Sequence, residues 1–198
     1  MTNPRLFHFS DDPDIRVFEP RPVRVPSVRA PGREWLNGPL VWAIEEAAQA
    51  MYLFPRDCPR IVLWRTAETS ADDLAKWWGE RGCHAIAHIE WRWFDRVKTG
   101  SIHRYGLAPG GFENLDEAGM WVSRTTERPV SMETIVDLPA AMAAAGVELR
   151  VMENLTALRD VWSTSLHASG VRLRNATAWE GPTPALAAPY AGRRPADA

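Results

Sequence analysis

Leu6-Phe7-His8-Phe9-Ser10, Val41-Trp42-Ala43-Ile44 and Arg60-Ile61-Val62-Leu63-Trp64-Arg65 are three short runs within the first 65 residues. Each reads as a strand, because short apolar runs bounded by turn-forming residues suit an extended chain. The first run alternates. In a strand, Leu6, His8 and Ser10 point to one face and Phe7 and Phe9 to the other. An imidazole and a hydroxyl therefore share a face that needs water or a ligand, while two rings anchor the opposite face.

Working outward, residues 11–37 hold five prolines, at 13, 20, 22, 26 and 31. That spacing excludes regular helix and predicts a long loop, of the kind that covers or serves a site. Residues 39–44 are a buried strand, and Glu45 starts a short helix or turn reaching Met51. Ser70 is placed to cap a helix over residues 71–81, with Asp72 and Asp73 in its first turn and Gly82 ending it. Residues 83–93 alternate as a strand, and 101–107 form another before the Gly110-Gly111 break. Further on, 119–124 is a strand. Ser131 starts a helix that restarts at Pro139 and ends at Gly146. Residues 147–152 are a strand, and Asn154 caps a helix striped by Leu155, Leu158, Trp162 and Leu166. Residues 171–175 are the last strand.

Strands outnumber helices and do not alternate with them, so the predicted class is α+β. Residues 1–176 are expected to form a single domain around a mixed or antiparallel sheet. Residues 177–198 turn to Pro and Ala and are expected to be a disordered tail.

Composition narrows the function. The 198 residues are 45% hydrophobic and 24% charged, with a net charge of -2. No strong field favours nucleic acid or an anionic membrane. No apolar run of membrane-spanning length and no signal peptide is read, so the expected compartment is the cytoplasm. Cys58 and Cys83 are expected to be reduced there, and Cys58 reads as a structural thiol. Only Lys76 and Lys98 are lysines, the remaining basic residues being arginines, a bias typical of GC-rich bacterial genomes. Ten tryptophans are many for this length; most are expected to pack, leaving one or two to stack on a planar ligand.

Four constellations carry chemistry. His8 with Ser10 suits hydrogen bonding to a ligand or acid–base work; the competing reading is a core histidine bonded to a backbone carbonyl. Tyr52-Leu53-Phe54-Pro55-Arg56-Asp57-Cys58-Pro59-Arg60 offers two arginine forks, which suit phosphate or carboxylate; a rigid turn with Asp57 paired to Arg56 or Arg60 competes. His84, His88 and Glu90 share a strand face and could hold a metal in a hydrolase, although a solvated face explains them too. Arg172 and Arg174 alternate with Val171 and Leu173 and would bind an anion if they line a cleft. No GxGxxG, Walker, GxSxG or HExxH motif occurs.

The ordered set Phe7-His8-Phe9-Ser10, Phe18-Glu19-Pro20-Arg21, Val41-Trp42-Ala43-Ile44, residues 52–60, Gly146-Val147-Glu148-Leu149-Arg150 and Arg172-Leu173-Arg174-Asn175-Ala176 resembles a bacterial domain family of unknown function across residues 5–176. A more distant resemblance is to ADP-ribosyltransferase-like folds, carried by the histidine strand, the Ile15, Phe18, Pro20 and Arg21 step, the Val-aromatic-Ala strand and the aromatic after a short helix. That resemblance implies a split central sheet. It implies NAD or a related nucleotide as a small-molecule substrate, with ADP-ribosyl transfer or NAD hydrolysis. His8 would hold the ribose, Trp42 or Tyr52 would stack near the nicotinamide, and Ser10, Arg56 and Arg60 would line the cleft. Glu148 is the nearest candidate for the catalytic glutamate. A protein-interaction module without enzymatic activity is the alternative.

Overall fold

The computed structural model describes residues 4–80 and 82–181. Its strands are β1 (Leu6–Ser10), β2 (Val41–Glu45), β3 (Arg60–Trp64), β4 (Ala85–Glu90), β5 (Ile102–Leu107), β6 (Glu113–Asn114), β7 (Met120–Ser123), β8 (Pro129–Ile135), β9 (Val147–Met152) and β10 (His167–Val171). Three α-helical stretches accompany them, α1 (Ala71–Asp73), α2 (Trp91–Thr99) and α3 (Leu138–Ala144), with several 3-10 turns. The strands form two sheets. One is antiparallel throughout, in the order β6-β7-β2-β1-β5-β8. The other, β10-β3-β4-β9, is mixed, because β4 and β9 run parallel. The expected α+β class is the one observed.

The alternation of β1 sets its two faces apart. Phe7 and Phe9 enter the main core with Ile44, Ile61, Ile86 and Leu138. Burying such a side chain stabilises the fold by about 1.5–3 kcal/mol. Leu6 goes to the other side, against Phe18, Val41, Ala43 and Tyr105. The proline-rich loop covers that side. Phe18 exchanges backbone hydrogen bonds with Glu127 at 2.8 and 2.9 Å. The Tyr105 hydroxyl donates to Asp12 O at 2.6 Å and accepts from the Ile15 amide at 3.2 Å.

Five segments differ from the sequence expectation. Residues 91–93 are not strand but the first turn of α2, in which only Val97 is buried. Residues 131–135 belong to β8, paired with β5, and not to a helix; the helix starts at Leu138, capped by the Asp137 carboxylate accepting from Ala140 N at 3.0 Å. The last strand runs earlier than 171–175: β10 ends at Val171, and Arg172 adopts φ +56°. The helix after Ser70 is capped as expected, with Ser70 Oγ accepting from Asp73 N at 3.2 Å. It then widens into a π-type turn, Leu74–Trp78, and ends at Gly79, φ +73°. Asn154 also caps as expected, accepting from Thr156 N at 2.8 Å, though Leu155–Ser163 winds as 3-10 helix.

Of the segment expected as a tail, residues 177–181 are described and Trp179 is buried against Trp162; residues 182–198 lie outside the described residues. Among the described residues no helix is long and apolar enough to cross a membrane.

Gly146 closes α3 at φ +68°, and a Cβ there would collide with the His84 ring. Its carbonyl accepts from His84 N at 2.7 Å, joining α3 to the start of β4. Gly146→Ala combines a left-handed backbone with that collision, so a loss of about 2 kcal/mol is expected in urea unfolding. An unchanged midpoint would show that the joint is not held as drawn.

Candidate functional site

The site begins where β1 and β2 part. They pair over two rungs only, Leu6↔Glu45 and Phe7↔Ile44, whereas β1 pairs with β5 along its whole length. Continued, the same register would set Phe9 opposite Trp42. Instead, side chains take over the two carbonyls of that rung. His8 Nδ1 donates to Trp42 O at 2.8 Å, and Arg56 Nη1 donates to Phe9 O at 3.4 Å. Buried backbone acceptors need partners, and these two residues supply them while the strands separate. A cavity of about 260 Å³ opens at the parting. His8, Trp42, Tyr52, Arg56, Arg60 and Arg172 line it, together with apolar side chains such as Ile102 and Met120.

The bond to Trp42 O decides the chemistry of His8. A carbonyl only accepts, so the proton sits on Nδ1 and a neutral ring keeps Nε2 as an acceptor. Burial, with Arg56 adding to it, pulls the pKa to about 4, against the Trp42 bond that raises it. The ring is therefore neutral near pH 7. It packs on Phe18 with centroids 4.6 Å apart. Tyr52 stacks on Phe9 at 6.0 Å, and its hydroxyl donates to Met120 Sδ at 3.6 Å. Burial pushes the Tyr52 phenol up.

Arg60 is 2% exposed. Nε donates to Met51 O at 2.8 Å and Nη1 to Cys58 O at 3.0 Å, with the guanidinium over the Phe54 and Tyr52 rings. Burial pulls its pKa to about 10. Beside it, burial pushes the Cys58 thiol to about 12, which makes it a packed thiol and not a nucleophile. Two turns meet at the rim. Arg172 Nε donates to Arg56 O at 3.3 Å, and Asn175 Nδ2 donates to Asp57 O at 2.7 Å.

Residues 7–176 match the family of unknown function DUF6886. The chain belongs to that family. The matched span contains every residue that lines the cavity. No curated protein and no solved structure matches the chain.

In this DUF6886 domain the structure gathers six of the residues singled out in the sequence, His8, Trp42, Tyr52, Arg56, Arg60 and Arg172. Ser10 and Glu148, the other two residues of the nucleotide reading, do not line the cavity. Ser10 is buried, and its Oγ accepts from Asp12 N at 3.1 Å, shaping the turn after β1. Glu148 lies on β9 in the other sheet, paired with Arg150 Nε at 2.8 Å. The arginine pair also divides. Arg172 joins Arg56 and Arg60 at the cavity, while Arg174 stands exposed in the following 3-10 turn. The strand alternation that grouped them hides this, because the backbone turns at Arg172.

His84, His88 and Glu90 form no metal-binding cluster among the described residues. Glu90 is fully buried and accepts hydrogen bonds from Arg92, Thr177 and Leu155. A second cavity, of about 200 Å³, lies between the Ala47–Met51 turn and Trp64, Ala85 and Val147, and its lining is mostly apolar, with His84 among it.

Proposed function

We propose that the cavity binds a nucleotide of the NAD type, in a sheet split in the ADP-ribosyltransferase-like manner. The observation that carries this reading is the parting of β1 from β2 with His8 tethered across it. The bare Nε2 is suited to accept a hydrogen bond from a ribose hydroxyl. Tyr52 and Trp42 offer ring faces for the nicotinamide. The volume suits one ring and its sugar, not a whole dinucleotide, so the rest of the molecule would extend past the rim.

Cleavage of the nicotinamide–ribose bond would send the bonding pair to the nicotinamide nitrogen and leave positive charge on the ribose. Water or another acceptor would then add to the ribose carbon and release a proton. Such chemistry draws on groups that stabilise the developing cation. The described lining residues include no carboxylate, so binding is the primary activity in this reading and bond cleavage the secondary one.

Calorimetric titration with NAD, alongside His8→Ala, tests the reading. Loss of one hydrogen bond to a sugar hydroxyl should weaken binding about tenfold, with melting checked in parallel. Equal affinity in the variant would remove the assignment. Released nicotinamide, followed chromatographically, would add hydrolysis or transfer to binding.

A further inference from the structure

Arg60 poses a charge problem that the sugar-and-ring reading leaves open. A guanidinium at 2% exposure is costly to bury unless its charge is met. Its two hydrogen bonds go to neutral carbonyls, and no carboxylate pairs with it among the described residues. Three of its five N–H donors remain for whatever occupies the cavity it lines.

A second observation is independent of the first. Arg172, half-buried, is held at φ +56°, a conformation that side chains other than glycine rarely adopt. Strain of this kind persists where surrounding contacts fix it, and here it turns a second guanidinium toward the same cavity. Arg56 adds a third at the rim. Like charges repel: after burial, Arg174 and Arg56 disfavour the charge on Arg172, and Arg172 in turn disfavours the charge on Arg60. Two exposed carboxylates stand by this group: Asp57, 4.0 Å from Arg172 Nε, and Asp11, which accepts from the Arg56 amide at 3.1 Å and favours the charge on Arg60. Two solvated carboxylates do not offset three converging cations.

We propose that the ligand carries a phosphate or pyrophosphate group, and that Arg60, Arg172 and Arg56 seat it at the rim side of the cavity. This deepens the nucleotide reading and rests on it for the organic half of the ligand. Forked N–H donors match phosphate oxygens in pairs, and burial strengthens each such bond. The ligand is thereby oriented, with its ring and sugar toward His8 and its phosphates toward the arginines.

The test titrates the intact protein with ADP-ribose, nicotinamide riboside and inorganic pyrophosphate. The variant is Arg172→Gly, which keeps the left-handed backbone comfortable while removing the guanidinium. ADP-ribose should bind about a hundredfold more tightly than nicotinamide riboside, which has no phosphate. Pyrophosphate should bind alone, and Arg172→Gly should weaken both anions about tenfold without lowering the melting temperature. Equal affinities for ADP-ribose and nicotinamide riboside, or an anion affinity unchanged in Arg172→Gly, would overturn the proposal. Failure of the nucleotide reading looks different. Pyrophosphate would still bind through the arginines, while NAD affinity would be indifferent to His8→Ala.

Discussion

Acidification from pH 6.5 to about pH 4 is expected to remove about 3 kcal/mol of folding stability through His88 alone. His88 is 5% exposed on β4, between Ile61 of β3 and Arg150 of β9. Burial is the main cause that draws its pKa from 6.5 to about 4; Arg150 adds to it, while the hydrogen bond to the Ile61 backbone and Glu148 oppose it. The unfolded chain takes up a proton near 6.5 and the folded chain only near 4, so between those values the unfolded state binds more protons. Stability is therefore complete above pH 6.5 and falls as the pH drops through the window. His8 acts in the same sense, since its pKa is also drawn to about 4. Its share is of similar size, because the shift is the same. A domain of ordinary stability, about 5–15 kcal/mol, would feel the loss as a large fraction of its total. Urea unfolding in steps from pH 7.5 to 4 measures it. His88→Gln, which keeps a donor for the Ile61 carbonyl, should flatten the acid limb. A midpoint constant from pH 6.5 to 4.5 would contradict the placement of His88.

The pH window also separates fold from site. Below about pH 4 a proton on His8 Nε2 converts the proposed sugar acceptor into a donor. Ligand affinity should stay level from pH 8 to 5 while stability already declines, because the two effects centre on different values.

The parts legible in sequence are those where local pattern and tertiary context agree. β1, β2 and β3 are short apolar runs with turn formers on both sides, and the alternation in β1 correctly separates Phe7 and Phe9 from Leu6. Where tertiary pairing overrides local pattern, the sequence misleads. Trp91-Arg92-Trp93-Phe94 continues the alternation of β4, yet burial of Glu90 ends the strand and the chain turns into α2. β8 is an edge strand with most of its residues exposed, so no apolar period marks it and its pairing with β5 alone makes it a strand. The cavity follows the same division. His8, Trp42, Tyr52, Arg56 and Arg60 lie in or beside the legible runs. The placement of Arg172 depends on where β10 stops and on one left-handed residue, neither of which leaves a periodic trace. The parting of β1 and β2 is equally silent, because a register names partners without saying how far the strands stay together.

Glu90→Ala is expected to cost about 3–5 kcal/mol, through loss of a buried carboxylate that several elements share. Glu90 is 0% exposed at the end of β4. Oε2 accepts from Arg92 Nε at 2.8 Å and Thr177 Oγ1 at 3.1 Å; Oε1 accepts from Thr177 N at 2.8 Å and Leu155 N at 3.4 Å. Alanine would leave the Leu155 amide without an acceptor in a fully buried position and a void beside it. Thr177 is exposed and its amide can turn to water, so the segment it anchors should lift away. Trp179 would leave Trp162, 6.0 Å distant, and a red-shifted tryptophan emission should report it. The melting temperature should fall by about 10 °C. Glu90→Gln keeps one acceptor oxygen and should recover part of the loss. The effect should reach the cavity as well. Arg92, held by Glu90, donates to the Asn175 carbonyl, and Asn175 Nδ2 donates to Asp57 O at 2.7 Å, in the turn between Arg56 and Arg60. Loosening that chain should weaken pyrophosphate binding in Glu90→Ala at temperatures where the variant is still folded. A variant melting within about 2 °C of the parent would show that Glu90 is not the tie between β4, the Leu155 turn and the Thr177 segment.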